Sequence, residues 1–293
     1  MGIYGAVIGD ICGSIYEWNN RKTEKPEEIR LTDIRCRFTD DTVLTAAIAE
    51  ATRTGRDYKK ALYKWANMYP DVGYGPQFKE WFRSEDPQPY NSWGNGSAMR
   101  VSPIGWYFDD EETVLGEAMA SAEPTHNHPE GIKGAQAVAL AVFLCRKGVE
   151  KQTLKDRIES EFGYDLSRTL AEIRPNYKFD VSCQGSVPEA IIAFLESTHF
   201  ESSIKNAISI GGDSDTIACI TGSIAEAYYQ FNPHDVVYEC AIDGIHGWLR
   251  KFARYKLTPE IRAALEMEPE FVPLLSTAPD AGLTDDNFIF CGP

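Results

Sequence analysis

Apolar residues recur along this chain at the three- and four-residue spacing of amphipathic helices, and the alternation typical of half-buried strands is almost absent. This periodicity predicts about twelve helices and an all-α fold. The main predicted helices cover residues 2–17, 40–54, 57–69, 98–107, 111–121, 129–147, 187–196, 201–210, 215–230 and 233–247, with two polar helices within 150–180 and a last one opening at 258.

Three of these segments carry further expectations. The helix over 129–147 is rich in Ala and apolar on most sides, so we expect it to be buried at the centre. In the helix that ends near Glu196, Ser186 suits the capping position and Pro188 the first turn. No stretch rich in Pro, Gly and Ser divides the chain, and no repeat has a fixed period. We therefore predict a single domain over residues 1–293.

The composition bounds the classes of partner. Hydrophobic residues make up 43% of the chain, which suffices for a substantial core. The net charge of −15 disfavours non-specific binding to nucleic acid or to an anionic membrane surface. It leaves room for a small anionic ligand, since bound cations can reverse the local potential.

The cysteines and the chain's beginning favour a cytoplasmic protein. Seven Cys residues, none in a CxxC pair, are typical of reduced and mostly buried thiols. The first residues lack the basic region and cleavage signal of a secretory leader. No apolar run reaches the ~20 residues of a membrane span.

Two stretches place surplus carboxylates at predicted helix starts. One is Phe38-Thr39-Asp40-Asp41-Thr42, and the other is Gly211-Gly212-Asp213-Ser214-Asp215-Thr216. Asp, Ser and Thr cap helices, so each stretch alone is explained by capping. Capping does not need two Asp residues plus Thr, and carboxylate and hydroxyl oxygens are what Mg²⁺ prefers. Spacing alone leaves capping and metal binding about equally supported, and clustered Asp alone would also suit a two-metal phosphohydrolase.

Other segments carry weaker signals. Gly5, Gly9 and Gly13 fall on one helix face, where close helix packing is the simplest explanation. The turn residues Asn95-Gly96-Ser97 offer backbone N–H groups that suit phosphate, but an ordinary turn has the same composition. His126 and His128 lack the spacing and the neighbouring Cys of a zinc site.

Five blocks together resemble the ADP-ribosylglycohydrolase family. They are GAVIGDICGSIYEW, FTDDTVLTAAIAEA, WGNGSAMRVSPIGW, THNHPEGIKGAQAVA and IGGDSDTIACITGSIAEA, and they occur in the family's order from residue 2 to about 230. The DDT and GDSDT blocks are the most specific part. The resemblance implies a compact all-α fold with two Mg²⁺ (or Mn²⁺) ions in a central cleft.

The resemblance also implies roles for individual residues. One ion would be bound by Thr39, Asp40, Asp41 and Asp215, and the other by Asp213, Asp215 and Thr216, with Asp215 bridging. The catalytic residues would be Glu17, Asp41 and Asp215, with Glu17 as the active-site glutamate near the substrate. Asp10 would not bind an ion; it would be structural or would support the ligands from behind. The substrate-binding set would be Asn95, Gly96, Ser97, His126, Gly211 and Gly212.

The implied activity is release of ADP-ribose from an ADP-ribosylated protein or small conjugate. The ions would fix the ribose 2″ and 3″ hydroxyls while the C1″ bond breaks with oxocarbenium character. The acceptor is expected to be arginine, with O-linked acceptors as the alternative. The competing hypothesis is a binding module without activity. The complete set of implied metal ligands argues against it. We expect a monomer.

Overall fold

The structure, a computed structural model, describes residues 3–231 and 247–265. Within these ranges the regular elements are helices, and the prediction of an all-α fold is confirmed. A single antiparallel bridge joins Gly94 and Ser182. The helices are α1 (Gly5–Gly13), α2 (Asp40–Thr54), α3 (Tyr58–Met68), α4 (Pro76–Arg83), α5 (Gly96–Met99), α6 (Ser102–Tyr107), α7 (Glu111–Ala122), α8 (Pro129–Arg146), α9 (Lys151–Phe162), α10 (Leu170–Ile173), α11 (Cys183–Leu195), α12 (Phe200–Ser209), α13 (Ser214–Phe231), α14 (Gly247–Lys256) and α15 (Pro259–Leu265).

Several helices differ from the sequence prediction. Helix α1 ends at Gly13, although the prediction extended it to residue 17, and α11 begins at Cys183 instead of residue 187. The segment 150–180 holds one full helix, α9, and only the single turn of α10. The cap of α11 is Ser182, whose side chain accepts from the Gly185 N–H, so the assignment of Ser186 was wrong and Pro188 lies inside the helix. Helix α4 was not predicted. The predicted helix over 233–247 lies almost entirely outside the described residues.

The glycines of α1 allow it to lie directly against α13. A Cβ atom on Gly5 would stand 2.2 Å from the Gly222 carbonyl oxygen, and one on Gly9 would stand 2.0 Å from that of Ala218. A Cβ on Gly13 would meet the backbone of Asp215. The contacts run in opposite chain directions, so the two helices are antiparallel. Close packing therefore accounts for the glycine stripe, and the end of α1 lies beside the start of α13.

Helix α8 is the buried centre that the Ala-rich pattern predicted. Its residues from Ala137 to Phe143 are all buried, and the helix contacts α5, α6, α7, α11 and α13. Small side chains allow these neighbours to approach closely, as Gly105 of α6 does against Ala139. Among the helices of the described ranges, none combines the length and apolarity that crossing a bilayer requires.

Candidate functional site

The antiparallel contact of α1 and α13 brings the two Asp-rich stretches together. The Thr216 hydroxyl at the start of α13 lies 3.3 Å from Asp41 Oδ2 at the start of α2. The Thr39 hydroxyl lies 3.2 Å from the same oxygen. Threonine and aspartate oxygens from two helix starts thus share one buried space, as a joint site requires.

Capping does not use the carboxylates of α2. Thr39 is the N-cap of this helix, and its hydroxyl accepts the backbone N–H of Asp41 at 3.3 Å. Oδ1 of Asp41 is buried and has no hydrogen-bond partner in the part of the chain that the structure describes. A buried carboxylate oxygen without a donor is costly unless a cation or another ligand compensates it.

At the start of α13, Asp213 is tied to the loop before α5. Asp213 Oδ2 accepts from Nδ2 of Asn95 at 2.7 Å, and the same amide donates to Ser186 Oγ at 3.1 Å. Asp215 accepts the neighbouring N–H of Thr216 at 3.0 Å, and its carboxylate lies within hydrogen-bond reach of Asp213 and Glu17. Both carboxylates are buried.

Two groups of carboxylates could each hold a metal ion. One is Asp10, Asp41 and Asp215, and the other is Glu17, Asp213 and Asp215; within each group the ligand atoms lie within 4.8 Å of one another. Asp215 belongs to both groups. All candidate donors are oxygens of carboxylates and hydroxyls, the set that suits Mg²⁺ and Mn²⁺. The half-buried Asp40 is adjacent, in the first turn of α2.

Burial and mutual repulsion raise the pKa values of these acids. Burial, followed by Asp10 and Asp215, raises the pKa of Asp41 well above its ordinary value. Burial and the neighbouring Asp213 do the same for Asp215, and burial raises the pKa of Asp213 to about 6. Like charges forced together in low dielectric favour protonation, and a divalent cation would reverse that preference.

Glu17 extends the site from a short 3₁₀ turn, Glu17–Asn19, just beyond α1. Its carboxylate is half-buried, and burial together with the charge of Asp215 raises its pKa to about 8. The Arg37 side chain acts in the opposite direction. The structure thus places Glu17 beside Asp213 and Asp215 instead of in open solvent.

Asp10 is fully buried and organises the start of α2. Its Oδ2 accepts from the backbone N–H groups of Thr39 (2.9 Å) and Thr42 (3.1 Å) and from the Thr42 hydroxyl. Its Oδ1 accepts the Thr39 hydroxyl at 2.7 Å. All four donors belong to the start of α2, which Asp10 holds in place, and its carboxylate is also in one of the two groups that could hold a metal ion.

The loop Asn95-Gly96-Ser97 lies at the start of α5 and is held by the protein itself. The Asn95 amide is used by Asp213, and the Ser97 hydroxyl donates to the Gly131 carbonyl at 2.7 Å. The Asn95 N–H donates to the Val181 carbonyl at 2.7 Å, so the N–H groups of Gly96 and Ser97 are the candidates for an anionic ligand, and phosphate binding by this loop stays a prediction. Ser186, which receives the Asn95 amide, was missed as part of this site.

The two histidines have separate roles. His126 is buried, and its Nδ1 lies 2.7 Å from Thr125 Oγ1. Nδ1 of His128 accepts the Glu130 N–H and caps α8. Neither residue belongs to a metal-ligand group within residues 3–231 and 247–265.

Gly211 and Gly212 form the turn between α12 and α13. Both adopt positive φ angles, +79° and +71°, which side-chain-bearing residues rarely adopt. The Gly212 N–H donates to Asn20 Oδ1 at 2.9 Å, and a Cβ on Gly212 would collide with the Tyr177 ring. Backbone geometry alone requires these glycines, so their predicted contact with substrate stays a prediction.

Comparison with known proteins places this geometry in context. A family model described as ADP-ribosylglycohydrolase matches residues 1–262. The chain is 27% identical to the ADP-ribosylhydrolase ARH3 of Gallus gallus and to that of Homo sapiens, over 77% of this chain and 83% of each relative. It is 23% identical to the ADP-ribosylarginine hydrolase Tri1 of Pseudomonas putida, over 78% of this chain and 69% of the relative.

A solved structure has the same fold. It is titled "ADP-ribosylglycohydrolase-related protein complex" and matches with a TM-score of 0.60 at 22% sequence identity. The match covers 90% of this chain and 95% of that one. The helical arrangement described above is therefore a known one.

Proposed function

Since the chain belongs to the ADP-ribosylglycohydrolase family, we propose that it is a metal-dependent hydrolase that releases ADP-ribose from an arginine-linked acceptor. The observation that carries this proposal is the shared position of Asp215 in two groups of carboxylates. One residue that serves two clusters is what a pair of bridged ions needs.

The residues present fit two divalent cations. The buried Oδ1 of Asp41 has no hydrogen-bond partner among the described residues, and the groups that could hold a metal ion consist of carboxylates. We assign Thr39, Asp40, Asp41 and Asp215 to one ion and Asp213, Asp215 and Thr216 to the other. Bound there, Mg²⁺ or Mn²⁺ would polarise the ribose hydroxyls and lower the pKa of a water molecule.

The chain's own residues supply the remaining chemistry. Glu17 accepts the proton of the attacking water as its oxygen bonds to C1″ of the ribose. The bond from C1″ to the acceptor nitrogen breaks, and the nitrogen takes up one proton from solvent while Glu17 releases its own to solvent, which leaves ADP-ribose and an unmodified arginine. The backbone N–H groups of Gly96 and Ser97 bind the diphosphate, while the Asn95 N–H donates to the Val181 carbonyl and the Asn95 side chain links the loop to Asp213.

Arginine is the proposed acceptor because the Pseudomonas putida relative is named an ADP-ribosylarginine hydrolase. The test is release of ADP-ribose from one protein labelled on arginine and from one labelled on serine. We expect release from the arginine-linked protein. Release from the serine-linked protein alone would move the proposal to O-linked acceptors. ADP-ribose binding without release from either would leave a binding module, in contradiction to the proposal.

We further propose that the protein acts in the cytoplasm as a monomer.

Substitution of Glu17 should separate catalysis from metal binding. We expect Glu17→Gln to lower kcat by about a hundredfold or more, because a general base contributes on that scale. Mn²⁺ affinity, measured by calorimetry on metal-stripped protein, should change by less than about threefold, which is less than ~0.7 kcal/mol.

The matched control is Glu27→Gln, in the exposed 3₁₀ turn Pro26–Glu28. Neither kcat nor Mn²⁺ affinity should change in this variant. If Glu17→Gln weakened Mn²⁺ binding as strongly as it lowered kcat, Glu17 would be a metal ligand and its assignment as a base would be wrong.

A further inference from the structure

A buried line of side chains leads from Arg100 to His126. Arg100 and Thr125 are 0% exposed, and His126 is 5% exposed. Arg100 Nη2 donates to Thr125 Oγ1 at 2.9 Å and to the Ser121 carbonyl at 3.1 Å. Thr125 Oγ1 in turn lies 2.7 Å from His126 Nδ1. The proposed metal ligands take no part in this line.

The direction of each hydrogen bond follows from the donors available. A guanidinium only donates, so Thr125 Oγ1 accepts from Arg100. If Nδ1 is unprotonated, the single hydrogen of the hydroxyl is donated to it. If Nδ1 carried the hydrogen, the hydroxyl would accept from both neighbours and its own hydrogen would lose this acceptor. The contact therefore favours a neutral imidazole with its hydrogen on Nε2.

The surroundings keep the ring neutral. Burial, and next the positive charge of Arg100, lower the pKa of His126 well below its ordinary value. The other ring nearby is Tyr90, whose centroid lies 6.1 Å from that of the imidazole. Burial and hydrogen bonding thus favour one neutral tautomer.

The Nε2 edge faces the glycine loop before α5. A Cβ on Gly96 would stand 3.0 Å from Nε2, and one on Gly94 would stand 3.6 Å away. Nε2 makes no hydrogen bond to any residue that the structure describes. Because both residues are glycines, neither adds a side chain over this edge of the ring.

We propose that Arg100 and Thr125 are positioning residues that hold His126 as the Nε2–H tautomer, so that this N–H donates to a diphosphate oxygen of ADP-ribose over the Asn95–Ser97 loop. The tautomer stands on geometry alone, whereas its ligand rests on the function proposed above. The opposite tautomer would present a lone pair to the anion and repel it. The hydrogen bonds from Arg100 through Thr125 to His126 therefore decide whether the ring attracts or repels the ligand.

Nitrogen NMR of protein labelled with ¹⁵N-histidine tests the tautomer without substrate or metal. The chain has five His residues, and His126→Asn identifies the signal of His126. We expect Nδ1 to resonate as an unprotonated nitrogen and Nε2 as an N–H in the wild type and in Thr125→Ser. Thr125→Val, which keeps the shape and removes the hydroxyl, should give a mixture of tautomers. Thr125→Ala replaces it if Thr125→Val does not fold.

A wild-type spectrum with the hydrogen on Nδ1 would overturn the proposal, as would an unchanged Nε2–H spectrum in Thr125→Val. The affinity for ADP-ribose tests whether the Nε2–H group binds this ligand. Thr125→Val should bind about tenfold more weakly and Thr125→Ser within about twofold of the wild type. If the wild-type protein did not bind ADP-ribose, both the proposed function and the role of the Nε2–H group in binding this ligand would be contradicted. The NMR result would still decide the tautomer.

Discussion

Asp215→Asn is expected to lower kcat/KM for ADP-ribose release by about a thousandfold, since metal-ion catalysis contributes several kcal/mol and each 1.36 kcal/mol is tenfold. Asp215 is shared by the two carboxylate groups, so a neutral amide at this position weakens both candidate ion sites. Calorimetry of metal-stripped protein should show the loss as much weaker Mn²⁺ binding.

The same substitution should stabilise the metal-stripped protein. Burial and the charge of Asp213 raise the pKa of Asp215, which means that its ionised form is unfavourable in the fold. An amide of the same shape removes that charge, and we expect Tm to rise by about 3 °C. Mg²⁺ should raise the Tm of the wild type but not that of the variant.

Asp57→Asn is the matched control. Asp57 is exposed and caps α3 by accepting the Lys60 N–H, and Asn caps a helix equally well. Activity, Mn²⁺ affinity and Tm should therefore stay at wild-type values. Full activity in Asp215→Asn would contradict the metal assignment, and a Tm unaffected by Mg²⁺ in the wild type would do the same.

Asp10→Ala is expected to lower the free energy of unfolding by about 3–5 kcal/mol. The change leaves three buried donors at the start of α2 without an acceptor, since the Thr39 hydroxyl can turn to Asp41 Oδ2, and each such group costs about 1–3 kcal/mol. Relief of repulsion from Asp41 offsets part of this loss. Urea unfolding of metal-stripped protein measures the difference, and a loss below about 1 kcal/mol would contradict the structural role.

Asp10→Asn tests the same residue more finely. An amide oxygen in place of Oδ2 keeps the three donors there, so stability should fall by only about 1–2 kcal/mol. The amide nitrogen then faces the Thr39 hydroxyl, whose hydrogen must turn toward Asp41 Oδ2, 3.2 Å away. Mn²⁺ affinity should fall by about tenfold. If a structure of the Mn²⁺ complex placed an Asp10 oxygen roughly 2.1 Å from an ion, Asp10 would be a metal ligand and not a structural residue.

Much of this site follows from sequence because its chemistry lies in short motifs. The stretches around Asp40 and Asp213 carry more carboxylates than capping uses, and a shared metal site requires that the two stretches lie close together. The structure brings them together at the contact between Thr216 and Asp41. The stripe at Gly5, Gly9 and Gly13 likewise indicates the close helix contact that brings the motifs together.

Other features depend on contacts that no local pattern carries. Helix α4 has Phe78, Trp81 and Phe82 on its buried face, but the Gly, Pro and Asn around it favoured a loop. Ser182 and Ser186 are equally good caps by type, and tertiary packing selects Ser182. Ser186 instead receives the Asn95 amide across a separation of 91 residues.

The role inferred for Arg100 also needed the structure. In sequence it is one basic residue after Ala98 and Met99, and nothing there distinguishes a buried guanidinium from an exposed one. Only the fold brings its Nη2 to Thr125 Oγ1, beside His126. Long-range hydrogen bonds of this kind decide what a histidine can do.

The most direct test is ADP-ribose release from an arginine-linked protein by metal-stripped enzyme, before and after Mg²⁺ or Mn²⁺ is added. Negligible release without a divalent ion and full turnover after its addition are the result that two ions at Asp41, Asp213 and Asp215 predict. Undiminished release in the presence of EDTA would contradict it, because the acids would then act without the cations that their arrangement is proposed to bind.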